Sequence, residues 1–112
     1  MYDLYNDILR LCDQLDISVK SLRKTGREYA EAHMQARMKL SQAILKLEAQ
    51  NRPVTNLYYI ARGLTEVAHA KFEEISKEAI YKANLESINA IKLKIRVLEK
   101  QLEREYSDIQ SD

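Results

Sequence analysis

Two long stretches of heptad-spaced apolar residues, interrupted once at Asn51-Arg52-Pro53, leave this chain little to become except a pair of long helices. From Tyr2 to about Gln50 the apolar residues recur at intervals of three and four. One row is Ile8, Leu15, Leu22, Tyr29, Ala36 and Ala43. The other is Leu4, Leu11, then Val19, Gly26, His33, Leu40 and Leu47. Each row advances by sevens, with one skip between Leu11 and Val19, which is the pattern of a coiled-coil seam with a stutter. Gly26 falls on this seam, where it either admits a close backbone or marks a kink near Thr25-Gly26.

Pro53 pushes Arg52 out of helical geometry and ends the first run. A short helix over about 56–62 follows, with Thr55 or Asn56 as its cap and Gly63 as a left-handed terminal residue. Thr65 caps a last helix running to about Asp108. Its earlier seam is expected at Val67, Ala68, Phe72, Ile75, Ala79 and Ala83. Its later seam is expected at Ile88, Ile91, Ile95, Leu98, Leu102 and Ile109. The polar residues beyond Ile109 are expected to fray. Leu57, Ile60 and Leu64 would plug the corner between the two runs.

The fold class is therefore all-α. It is one helical domain over 1–112, a long antiparallel coiled-coil-like hairpin with helices at about 2–50 and 65–108 and a short helix at the tip. Two glycines and one proline in 112 residues are too few for the turns of a sheet fold. Two further apolar strips lie off the seams, Met34, Met38 and Leu45 on the first helix and Ala90, Leu93 and Val97 on the last. A two-helix hairpin leaves such strips wet, so association into a dimeric bundle is expected.

Composition limits function. The formal net charge is +1, so no global field draws the chain to nucleic acid or membrane. The one cysteine, Cys12, permits no internal disulfide and suits a reducing cytoplasm. It lies near the first seam with no cation to activate it, so an inert packed thiol is expected. Met1-Tyr2-Asp3-Leu4 lacks the basic and apolar regions of a signal peptide. No apolar run reaches the ~20 residues that span a bilayer.

Four local features carry some chemistry. Lys20, Arg23, Lys24 and Arg27 stand at i, i+3, i+4 and i+7, which puts four cations on one helical face able to follow phosphates or an acidic protein. Asp13, Asp16 and Glu31 flank them, and Asp16 to Lys20 has the favourable acid-first order for an ion pair. Tyr58, Tyr59 and Arg62 are candidate partner-binding residues exposed at the tip, since Tyr and Arg are frequent binding anchors. Glu66-x-x-His69 has the spacing used in di-metal bundles, but one copy without further carboxylates implies no metal. His33 and His69 are expected to be partly buried and hydrogen-bonded. Leu57 to Thr65 imitates a helix-turn-helix, yet Glu66, Glu73 and Glu74 on the following helix would repel phosphate. Lys92, Lys94, Arg96, Lys100 and Arg104 interleave with Glu99 and Glu103 as a mixed-charge surface. No phosphate loop or nucleophile motif is present, so no catalytic residue, cofactor or enzymatic activity is expected.

Three stretches, Met1-Tyr2-Asp3-Leu4-Tyr5, Ile60-Ala61-Arg62-Gly63 and Tyr81-Lys82-Ala83-Asn84-Leu85-Glu86-Ser87-Ile88-Asn89, together resemble small all-helical accessory proteins of Gram-positive phages and prophages. The resemblance implies early action in the host bacterial cytoplasm by binding, and no site residues. The expected function is non-enzymatic binding of a host or phage macromolecule, with inhibition of a host nuclease or CRISPR effector as the sensible target class. A nucleic-acid-binding accessory of recombination or replication is the alternative. A structural coiled-coil subunit is a third.

Overall fold

The computed structural model describes residues 2–111. Met1, which opens the first of the stretches quoted above, and Asp112 lie outside them. The described residues form three helices and no strand: α1 (Tyr2–Ala49), α2 (Val54–Gly63) and α3 (Thr65–Ser111). This is the expected all-α helical hairpin with a short helix at its tip. None of these helices is long and apolar enough to cross a membrane. The chain forms two compact units, Thr25–Tyr81 and Met1–Lys24 with Lys82–Asp112.

In the unit Thr25–Tyr81, α1 stops through a Schellman motif. Asn51 N–H bonds Glu48 O at 3.0 Å, and Arg52 N–H bonds Leu47 O at 3.3 Å. Asn51 takes the left-handed conformation this motif needs, with φ of 58°. Asn tolerates that region because its short polar side chain can bond locally. Pro53 follows and forbids continuation.

The left-handed residue was expected at Gly63, and there the structure differs. Gly63 has no positive φ and ends α2 in helical geometry. The corner is made instead by Leu64, extended at φ −68° and ψ 139°. Ala68 N–H bonds Leu64 O at 2.9 Å, so Leu64 holds the cap position expected of Thr65. α2 also begins earlier than expected. Pro53 precedes it without a side-chain cap, so neither Thr55 nor Asn56 caps. A testable consequence concerns Gly63, where an added Cβ would meet nothing within 4 Å. Gly63→Ala is expected to stabilise the fold by about 0.5–1 kcal/mol, the helical cost of glycine. Chemical unfolding of the two proteins would check this, and a destabilised variant would contradict it.

The core sits under this corner. Leu57 and Ala61, one turn apart on α2, pack with Ala43 and Leu47 of α1 and Val67 of α3. Leu40, Ile44, Ile60 and Leu64 close around them. The expected plug of Leu57, Ile60 and Leu64 is thus present.

In the other unit, Ile88 and Ile91 are buried, and Ile95, Leu98 and Leu102 are half-buried. Leu4, Ile8, Leu11, Leu15 and Leu22 of α1 are half-buried too. Asn84 Nδ2 donates to Ser18 O at 3.0 Å.

Eight residues expected on a seam are exposed, His33 among them. Val19 is exposed, and half-buried Ser18 and Thr25 continue the Leu4–Leu11 row without a skip. The row is polar there, so apolar spacing alone points to Val19, on the wrong face. On α3, Val67 is buried, but Ala68, Phe72, Ile75, Ala79 and Ala83 all face outward. The inward positions are taken by Glu74, Glu78 and Tyr81. Ile109 is exposed, and α3 continues as helix to Ser111 rather than ending near Asp108.

Candidate partner-binding surface

Leu57 and Ala61 turn one side of α2 into the core, which leaves Tyr58, Tyr59 and Arg62 on the other side. All three are exposed, Tyr59 by 79%. The Arg62 guanidinium carbon lies 5.2 Å from the centre of the Tyr58 ring. Tyr58 and Tyr59 meet edge to face at 6.4 Å. These contacts orient the three side chains against one another on a short helix, so less freedom is lost when a partner seats on them. Beside them is an open groove of about 350 Å³, lined by Ala36 and Leu40 of α1, Tyr58 and Arg62 of α2, and Val67, Ala68, Lys71, Phe72 and Ile75 of α3.

Further along the same unit is a polar layer that the apolar pattern concealed. Glu74 is buried, with 6% exposure. Lys71 Nζ donates to its Oε1 at 2.9 Å, and His33 Nδ1 hydrogen-bonds its Oε2. Tyr29 Oη donates to Glu78 Oε2 at 2.5 Å, and its ring lies 5.8 Å from that of Tyr81. Tyr81 in turn packs on Gly26, where a Cβ would meet its Cε1 at 3.3 Å. Gly26 therefore admits a ring rather than a kink, and α1 is unbroken through it. Lys77 pairs with Glu28 at 3.5 Å. Spacing offered one signal for this layer: Tyr29 and His33, like Glu74 and Glu78, stand at i and i+4.

The Lys71 ammonium, and after it His33, hold the Glu74 carboxyl below its ordinary value near 4.5 against the opposing effect of burial. The hydrogen bond to Glu78 comes first in raising the Tyr29 hydroxyl above 10.0, with burial and the Glu78 and Glu74 charges adding to it. The folded state binds the Glu74 proton more weakly than the unfolded chain does. Its contribution to stability is present above about pH 4.5 and is lost as pH falls through the folded value. Glu74→Gln is expected to flatten the acid side of the stability profile. Urea midpoints measured at stepped pH below 5 would check it, and identical acid slopes in both proteins would refute it.

Lys20, Arg23, Lys24 and Arg27 are all exposed on α1. None of them forms an ion pair among the described residues, and the expected Asp16–Lys20 pair is not made. Both side chains are exposed, where such a pair gains little.

The chain was compared with protein-family models, curated proteins and solved structures. No match was found in any of the three.

Glu66 and His69 do not converge. Glu66 lies beside Lys39 and Lys46 in one depression, and His69 beside Glu28, Glu31 and Glu73 in another. Among the described residues no three His, Cys, Asp or Glu side chains come together as a metal site. Both histidines are exposed rather than partly buried, although His33 is hydrogen-bonded as expected. Cys12 is half-buried.

Proposed function

We propose that this chain is a non-enzymatic interaction protein, a self-associating helical scaffold whose α2 tip engages a macromolecular partner. The observation that supports this reading is the Tyr58–Arg62 stack with Tyr59 beside it, exposed on a helix whose opposite side is anchored in the core. Aromatic and guanidinium groups held this way bury area at low entropic cost. The partner is a host or phage protein, with a host nuclease or CRISPR effector as the target class, in the host cytoplasm. That setting rests on the resemblance to phage and prophage accessory proteins. The test is affinity capture from host lysate with tagged chain, followed by reconstitution of the complex from purified components. A stoichiometric complex lost on tip substitution is expected, and failure to recover any specific partner would count against the reading.

The four unpaired cations of α1 favour a second reading, direct nucleic-acid binding. If four phosphates are contacted, affinity should fall about 100-fold between roughly 50 and 200 mM salt. Reversal of Lys20, Arg23, Lys24 and Arg27 to glutamate should abolish binding in fluorescence anisotropy. No binding to single- or double-stranded DNA or RNA at low salt would end this reading.

A further inference from the structure

We propose that the groove beside α2 seats an acidic amphipathic helix of the partner, its apolar side chains in the hollow and a carboxylate on Arg62. This rests on the tip-binding reading above and gives the partner a chemistry. The groove lies wholly inside the unit Thr25–Tyr81, where α1, α2 and α3 come together. Ala36 of α1 and Ala68 of α3 leave the hollow, because both side chains are small. Ala36 and Val67 are buried at its floor. Phe72 and Ile75 stand as its walls, 64% and 58% exposed.

The charge of the lining selects the occupant. Its polar residues are Tyr58, Arg62 and Lys71, and no carboxylate is among them. The two depressions elsewhere in this unit are unlike it, since Glu28, Glu31 and Glu73 line one and Glu66 lines the other. Lys71 gives one N–H to Glu74 and has two more to offer. Arg62 meets the face of the Tyr58 ring, and its N–H groups make no hydrogen bond or ion pair among the described residues. A carboxylate fits that open guanidinium fork with two parallel hydrogen bonds. A basic segment would bring like charge to both cations, which is disfavoured.

The shape of the groove selects a helix. An extended segment docks through main-chain hydrogen bonds to a sheet edge, and the described residues form no strand. A helix satisfies its own main chain and can lay an apolar side into a groove of side chains. A small molecule is ordinarily enclosed by its pocket, whereas walls as exposed as Phe72 and Ile75 are covered only by something that reaches across them.

The experiment titrates the full chain into a fluorescein-labelled, lactam-bridged helical peptide with leucines at i, i+4 and i+7 and glutamates beside them. Anisotropy is expected to show binding that weakens about tenfold or more when lysines replace the glutamates. Arg62→Glu should reverse that preference. Ala68→Trp should fill the hollow and abolish binding with helicity retained, since Ala68 is exposed in the free chain. Phe72→Ser removes a wall that is likewise exposed and should weaken binding, which keeps the test open if the tryptophan disturbs the fold. No binding of the glutamate peptide, equal binding of the lysine peptide, or undiminished binding by a folded Ala68→Trp chain overturns the acidic helix. So does a single-stranded oligonucleotide that binds in place of both peptides and is lost with Ala68→Trp. A reconstituted partner complex broken by Tyr58→Ala but untouched by Ala68→Trp overturns the groove and leaves the tip reading standing. A complex untouched by either substitution overturns both.

Discussion

Replacing Leu57 with alanine is expected to destabilise the unit Thr25–Tyr81 by about 2–4 kcal/mol, the usual cost of emptying a buried leucine site. Leu57 is 4% exposed and is the one large buried side chain of α2. Its buried neighbours are Ala43, Leu47, Ala61 and Val67. Two of these four are alanines, which cannot swing into the space left behind, so little of the cavity closes. Domains of this size are stable by only about 5–15 kcal/mol, so the loss is a large fraction of the whole. It should lower the melting temperature by roughly 10–25 °C at the usual conversion for a domain near 100 residues. Urea unfolding followed by far-ultraviolet circular dichroism measures it directly. Met38→Ala is the control, since Met38 is exposed, and a surface change of this kind costs under about 0.5 kcal/mol. Equal effects at the two positions would show that the tip core is not where the fold is held.

Alanine at Tyr58 or at Arg62 is expected to weaken the reconstituted partner complex by about 30-fold or more, the effect of losing an interface anchor worth 2 kcal/mol. The two losses should not add, because each residue orients the other through the contact of the Arg62 guanidinium with the Tyr58 ring. Removing either one also frees its neighbour. Stability should hardly change, since both side chains are exposed on the side of α2 away from Leu57 and Ala61. Isothermal titration calorimetry with the captured partner, paired with thermal melts of each variant, separates the two effects. Unchanged affinity in both variants would move the binding site away from the tip.

Much of this architecture could be read from residue order. The break at Asn51-Arg52-Pro53, the short helix after it, the plug of Leu57, Ile60 and Leu64, and the exposure of Tyr58, Tyr59 and Arg62 all follow from spacing and turn chemistry. The stop signals were harder to place. Asn51 and Gly63 are both able to adopt a left-handed conformation, and only the hydrogen bonds of Arg52 and Asn51 back to Leu47 and Glu48 show which of them does. The four cations of α1 were legible as a face. That Asp16 would leave Lys20 unpaired was not, because two long side chains in water have many arrangements of similar energy.

The order of residues alone established two long helices, where they part, and that each carries more apolar surface than one hairpin seam can cover. Periodicity defines the faces of a helix, but it does not say which face turns inward when two compete. On α3 the apolar count favoured the side of Phe72 and Ile75, and the tertiary structure turned in the side of Glu74 and Glu78 instead. It could do so because α1 places His33 and Tyr29 opposite those carboxylates. Lys71 and His33 satisfy Glu74, and Tyr29 satisfies Glu78, so Glu74 can be buried and Glu78 half-buried without leaving their charges unpartnered. The match joins residues 41 and 49 apart in the chain and is a property of how the two helices pack, which neither helix carries in its own pattern.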